Sequence, residues 1–506
     1  MKKIIKILLC ALLAGLLTAA AFPLPASAAD PGGSCGAKLN WTFERASGTL
    51  TLTGSGAMTA YASPAAVPWS DFNAEIRVVS LPAGLTEISA YAFSACRLVK
   101  APVLPASLTS IGDEAFAYSN VPEIEIPAGV TKIGRDVFLG CASLSAIRAA
   151  AKNTVYSAAG NCLIEKKTGK LIAGCRASVI PKDGSVKSIG ERAFYAVPLA
   201  EAALPASVTE IGKEAFYGTA LTAVTIPAAV TKIGAGAFAG CRFLTSFAVE
   251  KGNRHYRAEG GSVIESPGEV LVCGSAASVI PSGVRKIADS AFADCADLRS
   301  VSLPDSVTEI GNRAFWNCVN LASVRLPAGL TSVGEYAFAW CEKLTLVEFP
   351  DQLTAIGRGA FLGCSAVTEI SVPAALATIG DAAFYGCDGL QTVVNRGTDA
   401  SYAAITVGAE NDPFLNARVT GAPAPSVLWG DADGDGSVLT KDLALMRGYL
   451  ANLDPTTGLS AVTLKAGADC NGDGAVNMRD LALLRGYLAN LDPVTGQSIV
   501  VLGPAA

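Results

Sequence analysis

Histidine is almost missing from this chain: His255 stands alone among 506 residues. Chemistry that needs two or more imidazoles, such as a multi-His zinc site or a His-bridged pair, is excluded. Charge is scarce as well, at 16% of residues against a typical value of about 25%. With 51% of the chain apolar, a disordered protein is excluded, because disorder needs low hydrophobicity and high net charge. Glycine (51) and proline (26) are too few and too aperiodic for a collagen-like or low-complexity chain. A net charge of -5 and a pI near 5.3 argue against nucleic acid as the main partner.

Long apolar runs are confined to the start. Lys2, Lys3 and Lys6 precede an apolar segment from Ile7 to Phe22, then Pro23 and Pro25, and then Ala26-Ser27-Ala28. Residues 1–28 therefore read as a secretory signal peptide, because the run is short for a span and ends in small residues. Cys10 lacks the small residues a lipid-attachment site needs before it. No later segment has the uninterrupted apolar length of a membrane span, so the mature chain is expected to be soluble, secreted and extracellular. Cleavage would remove three lysines and no acid, making the net charge -8.

What is present is a repeat. Ile-Gly-x-x-Ala-Phe recurs with small variations at Phe93, Phe116, Phe138, Phe194, Phe216, Phe238, Phe292, Phe315, Phe338, Phe361 and Phe384, mostly in steps of 22 or 23 residues. Two steps are longer, 56 residues to Phe194 and 54 to Phe292. Their content matches at an offset of 100: Asn153 to Tyr156 with Ser178 to Pro181, against Asn253 to Tyr256 with Ser278 to Pro281. Within a unit, Leu221, Val224 and Ile226 alternate as a half-buried strand does, and Pro227 ends it. Val230 and Ile233 return to the core, Gly234 is expected to let the chain turn, and Ala237-Phe238 close the coil. One unit cannot cover its own apolar face, but a stack can, so the fold class is a solenoid with one short strand per repeat and a short helix or turn opposite.

The unit Pro227-x-x-Val230-Thr231-x-Ile233-Gly234-x-x-Ala237-Phe238-x-x-Cys241-x-x-Leu244 resembles the BspA-type leucine-rich repeat. The resemblance spans residues 76–395, with longer inserts at about 148–181 and 248–281. Residues 29–75 match the family's N-terminal piece, with Cys35-Gly36, Trp41 to Phe43 and Gly48 to Leu52 forming a β-hairpin cap. Residues 396–420 are assigned as a C-terminal cap. Family members are mostly bacterial surface or secreted proteins linked to adhesion, which implies a protein or cell-surface ligand.

Eight of the 14 cysteines lie three residues after a repeat phenylalanine: Cys96, Cys141, Cys241, Cys295, Cys318, Cys341, Cys364 and Cys387. Ser119, Val197 or Thr219 fills the slot elsewhere, so the ladder reads as buried thiols at a packing position, although an exported protein favours disulfides. The state of Cys35, Cys162, Cys175 and Cys273 stays open.

After a linker at 421–429, the character changes. Asp431, Asp433 and Asp435 precede Gly436 and Asp442; Asp469, Asn471 and Asp473 precede Gly474 and Asp480. Each set spans a 12-residue calcium loop, with oxygens at positions 1, 3 and 5, the backbone carbonyl of Ser437 or Ala475 at position 7, and a carboxylate at position 12. Asn477 can serve position 9; Leu439 cannot, so the first loop is expected to use a water there. The segments Lys441 to Leu450 and Arg479 to Leu488 are nearly identical, with Leu443, Met446 and Leu450, and Leu481, Leu484 and Leu488, at helical spacing.

Two such half EF-hands resemble a type I dockerin over residues 430–496, leaving a tail at 497–506. The resemblance implies two Ca²⁺ ions and a partner, the cohesin domain of a scaffold protein, as in cellulosome-type complexes. The family's contact positions correspond here to Thr440, Lys441, Met478 and Arg479, and to Arg447, Asn452, Arg485 and Asn490. The basic or hydroxyl pairs of some members are not reproduced at the first set. Gly448 and Gly486 cost each helix about 1 kcal/mol relative to alanine, so either the partner's backbone approaches there or duplication copied them. From residue 430 onward nine aspartates face five basic residues, a balance of -4 that two Ca²⁺ would neutralise.

A glycoside hydrolase would need two carboxylates about 5 to 9 Å apart in a cleft. The repeats leave no room for a catalytic domain, His255 reads as incidental, and Glu123 and Glu125 read as a solvated strand face. The outward strand positions Thr225, Ser302, Arg325, Glu348 and Ser371 carry no aromatic ring, which disfavours a glucan platform on that face. The expected function is a secreted, non-catalytic binding protein carried on a scaffold. The alternatives are a structural or inhibitory subunit of a polysaccharide-degrading complex, and an unrecognised glycoside hydrolase.

Overall fold

The computed structural model describes residues 30–421 and, further on, residues 432, 440–451, 464, 468, 470, 476 and 478–489. Residues 1–28, expected to be a signal peptide, residues 422–429 of the expected linker and the tail at 497–506 lie outside the described residues. The chain divides into two compact units, the first reaching Phe243 and including Glu250–Asn253, the second holding Leu244–Val249 and everything from Arg254. Each is a leucine-rich-repeat β-solenoid.

The first unit opens on an antiparallel meander, Gly32–Gly36, Leu39–Glu44 and Thr49–Ala57. Leu39, Trp41, Phe43, Leu50 and Leu52 alternate inward, and the turn before Thr49 has Gly48 at φ +67°. The last strand is also the first rung of the solenoid: Thr49–Thr51 pairs in parallel with Val78–Ser80, and Ser55–Ala57 with Gly84–Glu87. Short parallel bridges then carry the stack from Ile88 to Ile111 to Ile133.

The longer repeats are not excursions from the stack. Tyr156–Ala159, Cys162–Glu165 and Lys170–Ala173 form a second meander, whose last strand again begins a parallel ladder, Leu171 to Ile189 to Ile211 to Ile233. The Tyr156 hydroxyl accepts the backbone N–H of Ile133 at 3.0 Å, so the meander also terminates the ladder before it. Asn153 enforces the switch: its amide donates to Pro127 O and Val130 O at 2.8 and 2.9 Å, and its Oδ1 accepts from the N–H groups of Val155 and Tyr156. Asn253 makes the same two donations to Pro227 O and Val230 O.

In the second unit a third meander, Tyr256–Glu259, Ser262–Glu265 and Val270–Cys273, starts the ladder Leu271, Ile287, Ile310, Val333, Ile356, Ile379 and Val407. Its last coil is closed by the helices Asp399–Ala403 and Asp412–Asn416 and by Arg418–Gly421, which pairs with Thr392–Asn395.

The phenylalanines stack along each core. Centroids are 5.3 and 5.8 Å apart through Phe93, Phe116 and Phe138, and 5.1 and 5.3 Å through Phe194, Phe216 and Phe238. In the second unit they are 5.1 to 5.7 Å apart from Phe292 to Phe384. Trp69 continues the first stack at Phe93, and Phe414 continues the last at Phe384.

Two local expectations change. Gly234 does not supply a turn conformation. Its place is dictated by close approach, since a Cβ there would lie 2.4 Å from the backbone nitrogen of Lys213 in the preceding coil. The same holds at Gly112, Gly134, Gly212 and Gly380. The turning is done instead by two left-handed residues per coil that need not be glycine, for example Glu114 and Tyr118 at φ 52° and 56°, or Tyr336 and Trp340 at 55° and 63°.

The cysteine ladder, too, does more than fill space. Cys141 donates to Phe116 O at 3.0 Å, Cys241 to Phe216 O, Cys318 to Phe292 O, Cys341 to Phe315 O at 3.3 Å, Cys364 to Phe338 O and Cys387 to Phe361 O. Each thiol thus adds a second hydrogen bond to the carbonyl of the preceding spine residue, which already accepts the backbone N–H three residues on, as Phe338 O does from Cys341. Burial pushes the Cys141 and Cys387 thiols up to about 12, which keeps the proton on sulfur for donation. Cys35, Cys162 and Cys175 are buried free thiols as well.

This hydrogen bond yields a prediction. Cys341→Ser keeps a donor and is expected to cost about 0.5 kcal/mol or less, whereas Cys341→Val removes the second donor to Phe315 O, which keeps the Cys318 N–H at 3.3 Å, and should cost about 1 kcal/mol. Urea unfolding of the two variants decides; equal losses would show that the thiol contributes only volume.

Candidate calcium-binding and docking module

The C-terminal chemistry is organised by two helices of equal length, Thr440–Ala451 and Met478–Ala489. Each places an aspartate in its first turn, where the positive end of the helix dipole favours a carboxylate. These are Asp442 and Asp480, the position-12 residues, and both are fully buried. A buried carboxylate is costly unless charge and hydrogen bonds compensate it. Part of that compensation is visible in the first loop, where the Ala432 N–H donates to Asp442 Oδ1 at 2.8 Å. This bond joins loop position 2 to position 12 and so closes the loop on itself.

Beneath the loops lies a small apolar core of Ala432, Met446, Ala468, Cys470 and Leu484, all fully buried. Ala432 and Cys470 are the second residues of the two loops, so both halves use the same position to anchor loop to core. Leu443, Leu481 and Leu488 pack on it as their spacing predicts, joined by Leu445, Leu483, Leu464 and Val476. Leucine at two adjacent helical faces widens the apolar stripe beyond the single face read from the sequence.

The expected docking positions whose side chains are described are exposed. Lys441, Arg447, Arg479 and Arg485 are exposed, and Met478 is 67% exposed, a large apolar side chain held in solvent beside arginine. Thr440, Gly448 and Gly486 are placed on the helices by their backbone. Asp431, Asp433, Asp435, Ser437, Asp469, Asn471, Asp473, Ala475, Asn477, Asn452 and Asn490 lie outside the described residues. For a calcium ion the described part fits: an oxygen donor at position 12 of each loop is buried, and in the first loop Asp442 is bonded back to position 2.

In the solenoid, the outward strand positions form a mixed polar face. Ser302 lies beside Arg325, and Glu348 beside Ser371, in parallel register. Glu123 is bound to Arg148 at 2.8 Å, so it stands opposite a cation and not a second catalytic carboxylate. His255 is exposed at the turn before Tyr256. Among the described residues no cluster of three or more His, Cys, Asp or Glu is placed to hold a metal, and no helix is long and apolar enough to cross a membrane. Reading only the strands misses the turn edge of the coils, where Tyr118, Trp340 and Tyr385 are exposed. Their signal is in the sequence, within two residues after the spine phenylalanine.

Comparison with known proteins agrees with this construction. Residues 72–167, 172–259 and 273–391 match the BspA type Leucine rich repeat region, and residues 429–489 match the Dockerin type I domain, a calcium-binding family whose partner is cohesin. A search of curated proteins returns no match. A leucine rich cell surface protein from Faecalibacterium prausnitzii A2-165 is 26% identical over 75% of this chain and 99% of its own, with a TM-score of 0.46. A leucine-rich repeat protein from Eubacterium ventriosum is 21% identical over 79% of this chain and 98% of its own, with a TM-score of 0.45. The chain belongs to the BspA-type leucine-rich repeat family and ends in a type I dockerin domain.

Proposed function

We propose that this is an exported, non-catalytic binding protein that docks through its calcium-loaded C-terminal module onto a cohesin domain of a scaffold and presents its solenoid to an external ligand. The observation that supports this reading is the duplication of one device: a calcium-loop sequence ending in a buried aspartate, Asp442 or Asp480, followed by a helix with arginine exposed in its second turn. Two calcium ions are assigned, one per loop, held by Asp431, Asp433, Asp435, the Ser437 carbonyl and Asp442, and by Asp469, Asn471, Asp473, the Ala475 carbonyl, Asn477 and Asp480. The ions would supply charge compensation for the clustered carboxylates; the protein's own part is to bury Asp442 and Asp480 against the Met446–Leu484 core. The solenoid is read as non-catalytic because its coils are filled by core side chains and its carboxylates face arginine or solvent.

The direct test is a pull-down with residues 425–506 as bait on secreted and surface proteins of the producing organism, with calcium and with chelator. Recovery of a cohesin-bearing scaffold only with calcium is expected. Calcium binding without any cohesin recovered would make the module a stalk and the protein a free secreted adhesin.

Chelation should also act selectively. With calcium removed, nine aspartates face five basic residues in the module, and its helices should melt while the solenoid persists. Circular dichroism on the full chain checks this: helix signal should fall with the β signal unchanged, and a retained helix signal contradicts the coupling of metal to folding.

The near identity of the two helices leads to a third expectation. Two docking orientations related by about 180° should exist, so Arg447→Ala with Lys441→Ala, or Arg485→Ala with Arg479→Ala, should each leave cohesin affinity within about threefold, while all four together abolish it. Loss from either pair alone would assign binding to one face.

A further inference from the structure

The turn edge of the second unit carries an arrangement that its strand face lacks. Tyr336 and Trp340 flank the buried Phe338 in one coil, and both have left-handed backbones, at φ 55° and 63°. The next coil has glycine at the two matching positions, Gly359 and Gly363. A Cβ on Gly359 would come within 2.4 Å of the Tyr336 ring, and one on Gly363 within 2.4 Å of the Trp340 ring. Each ring therefore lies against bare backbone of the next coil, which supports it on that side. Trp340 stays 37% exposed. Rigid rings seated this way present contact area with little rotamer entropy left to lose.

Around Tyr336 stand two guanidinium groups, Arg313 from the coil before and Arg358 from the coil after, each 5.9 Å from the ring centroid. Both are exposed, and neither lies within ion-pair distance of a carboxylate among the described residues. The contrast with the first unit is informative. Tyr118 covers Gly140 in the same way there, but the arginine of that ladder, Arg192, is locked to Asp136 at 3.0 Å and Glu214 at 2.6 Å. One ring platform is thus surrounded by neutralised charge and the other by uncommitted cations.

Stacking surfaces beside unpaired guanidinium groups suit a flat ring that carries a carboxylate, since arginine takes a carboxylate in a two-point fork. We propose that Tyr336 and Trp340, with Arg313 and Arg358, form a binding site for an acidic polysaccharide, its sugar rings stacking on the aromatic faces and a uronate carboxylate lying on the guanidinium groups. This inference rests on the solenoid being the binding part of the molecule; it does not depend on cohesin docking, and its test is made on the same full-length preparation with that docking scored separately.

The experiment is affinity electrophoresis and tryptophan-fluorescence titration of the full chain with polygalacturonate, with neutral xyloglucan in parallel. Polygalacturonate should bind and xyloglucan should bind at least about tenfold more weakly. Trp340→Ala should lower polygalacturonate affinity about tenfold, and Arg313→Gln and Arg358→Gln about threefold each, with the effect shrinking as salt is raised. The two glutamine variants replace exposed side chains and should keep the wild-type unfolding midpoint, so they report on binding even if Trp340→Ala loosens its coil. No binding of polygalacturonate, equal binding of xyloglucan, or wild-type affinity in the folded glutamine variants would each overturn the proposal.

Discussion

Stacking of one coil's phenylalanine on the next is the contact from which the other features of the repeat follow. A centroid spacing of 5.1 to 5.8 Å requires the backbones of successive coils to run side by side. That proximity leaves no room for a Cβ at the Ile-Gly glycine, which would strike the coil before it. It also brings the cysteine sulfur of one coil to the phenylalanine carbonyl of the previous one, so a buried acceptor is met by a weak donor of the right size. Glycine, phenylalanine and cysteine are therefore parts of one constraint.

A stack built this way has exposed ends, and the chain treats each of them. An open ladder edge offers unpaired N–H and C=O groups to other chains. The N-terminal meander, the meander at Tyr156 and the meander at Tyr256 each begin a ladder, and the Tyr156 hydroxyl finishes another by accepting the Ile133 N–H. At the far end Asn411 donates to Gly380 O at 3.0 Å and accepts the Phe384 N–H at 3.0 Å, while Phe414 covers the last ring. The 100-residue duplication thus copied a start signal together with the coils that follow it.

Much of this was legible in the sequence because repetition turns weak signals into strong ones. The phenylalanine spacing, the half-buried strand before Pro227 and the paired calcium loops are all periodic features read from residue type alone. What was illegible has a physical reason. Glycine is enriched both where φ is positive and where two backbones meet, and composition does not separate the two, so Gly234 was assigned to a turn. The rings of Tyr336 and Trp340 went unread because alternation places ligands on strands, whereas these coils turn through left-handed residues whose side chains lie over the neighbouring coil.

The C-terminal module solves a different problem with the same economy. It is small for an apolar core to hold alone, five side chains being fully buried among the described residues, and its loop sequences concentrate carboxylates that would repel one another. Burying Asp442 and Asp480 raises the electrostatic cost further. Calcium reverses the sign of every one of these terms: it draws the carboxylates together, favours the buried aspartates as anions, and closes loops whose second residues, Ala432 and Cys470, then sit in the core. The proposed calcium dependence of the module contrasts with the solenoid, which is held by ring stacking and backbone ladders. On the proposed reading, a surface formed by stacked coils is joined to an attachment that would form with calcium, so the ligand site would persist while docking responds to the ion.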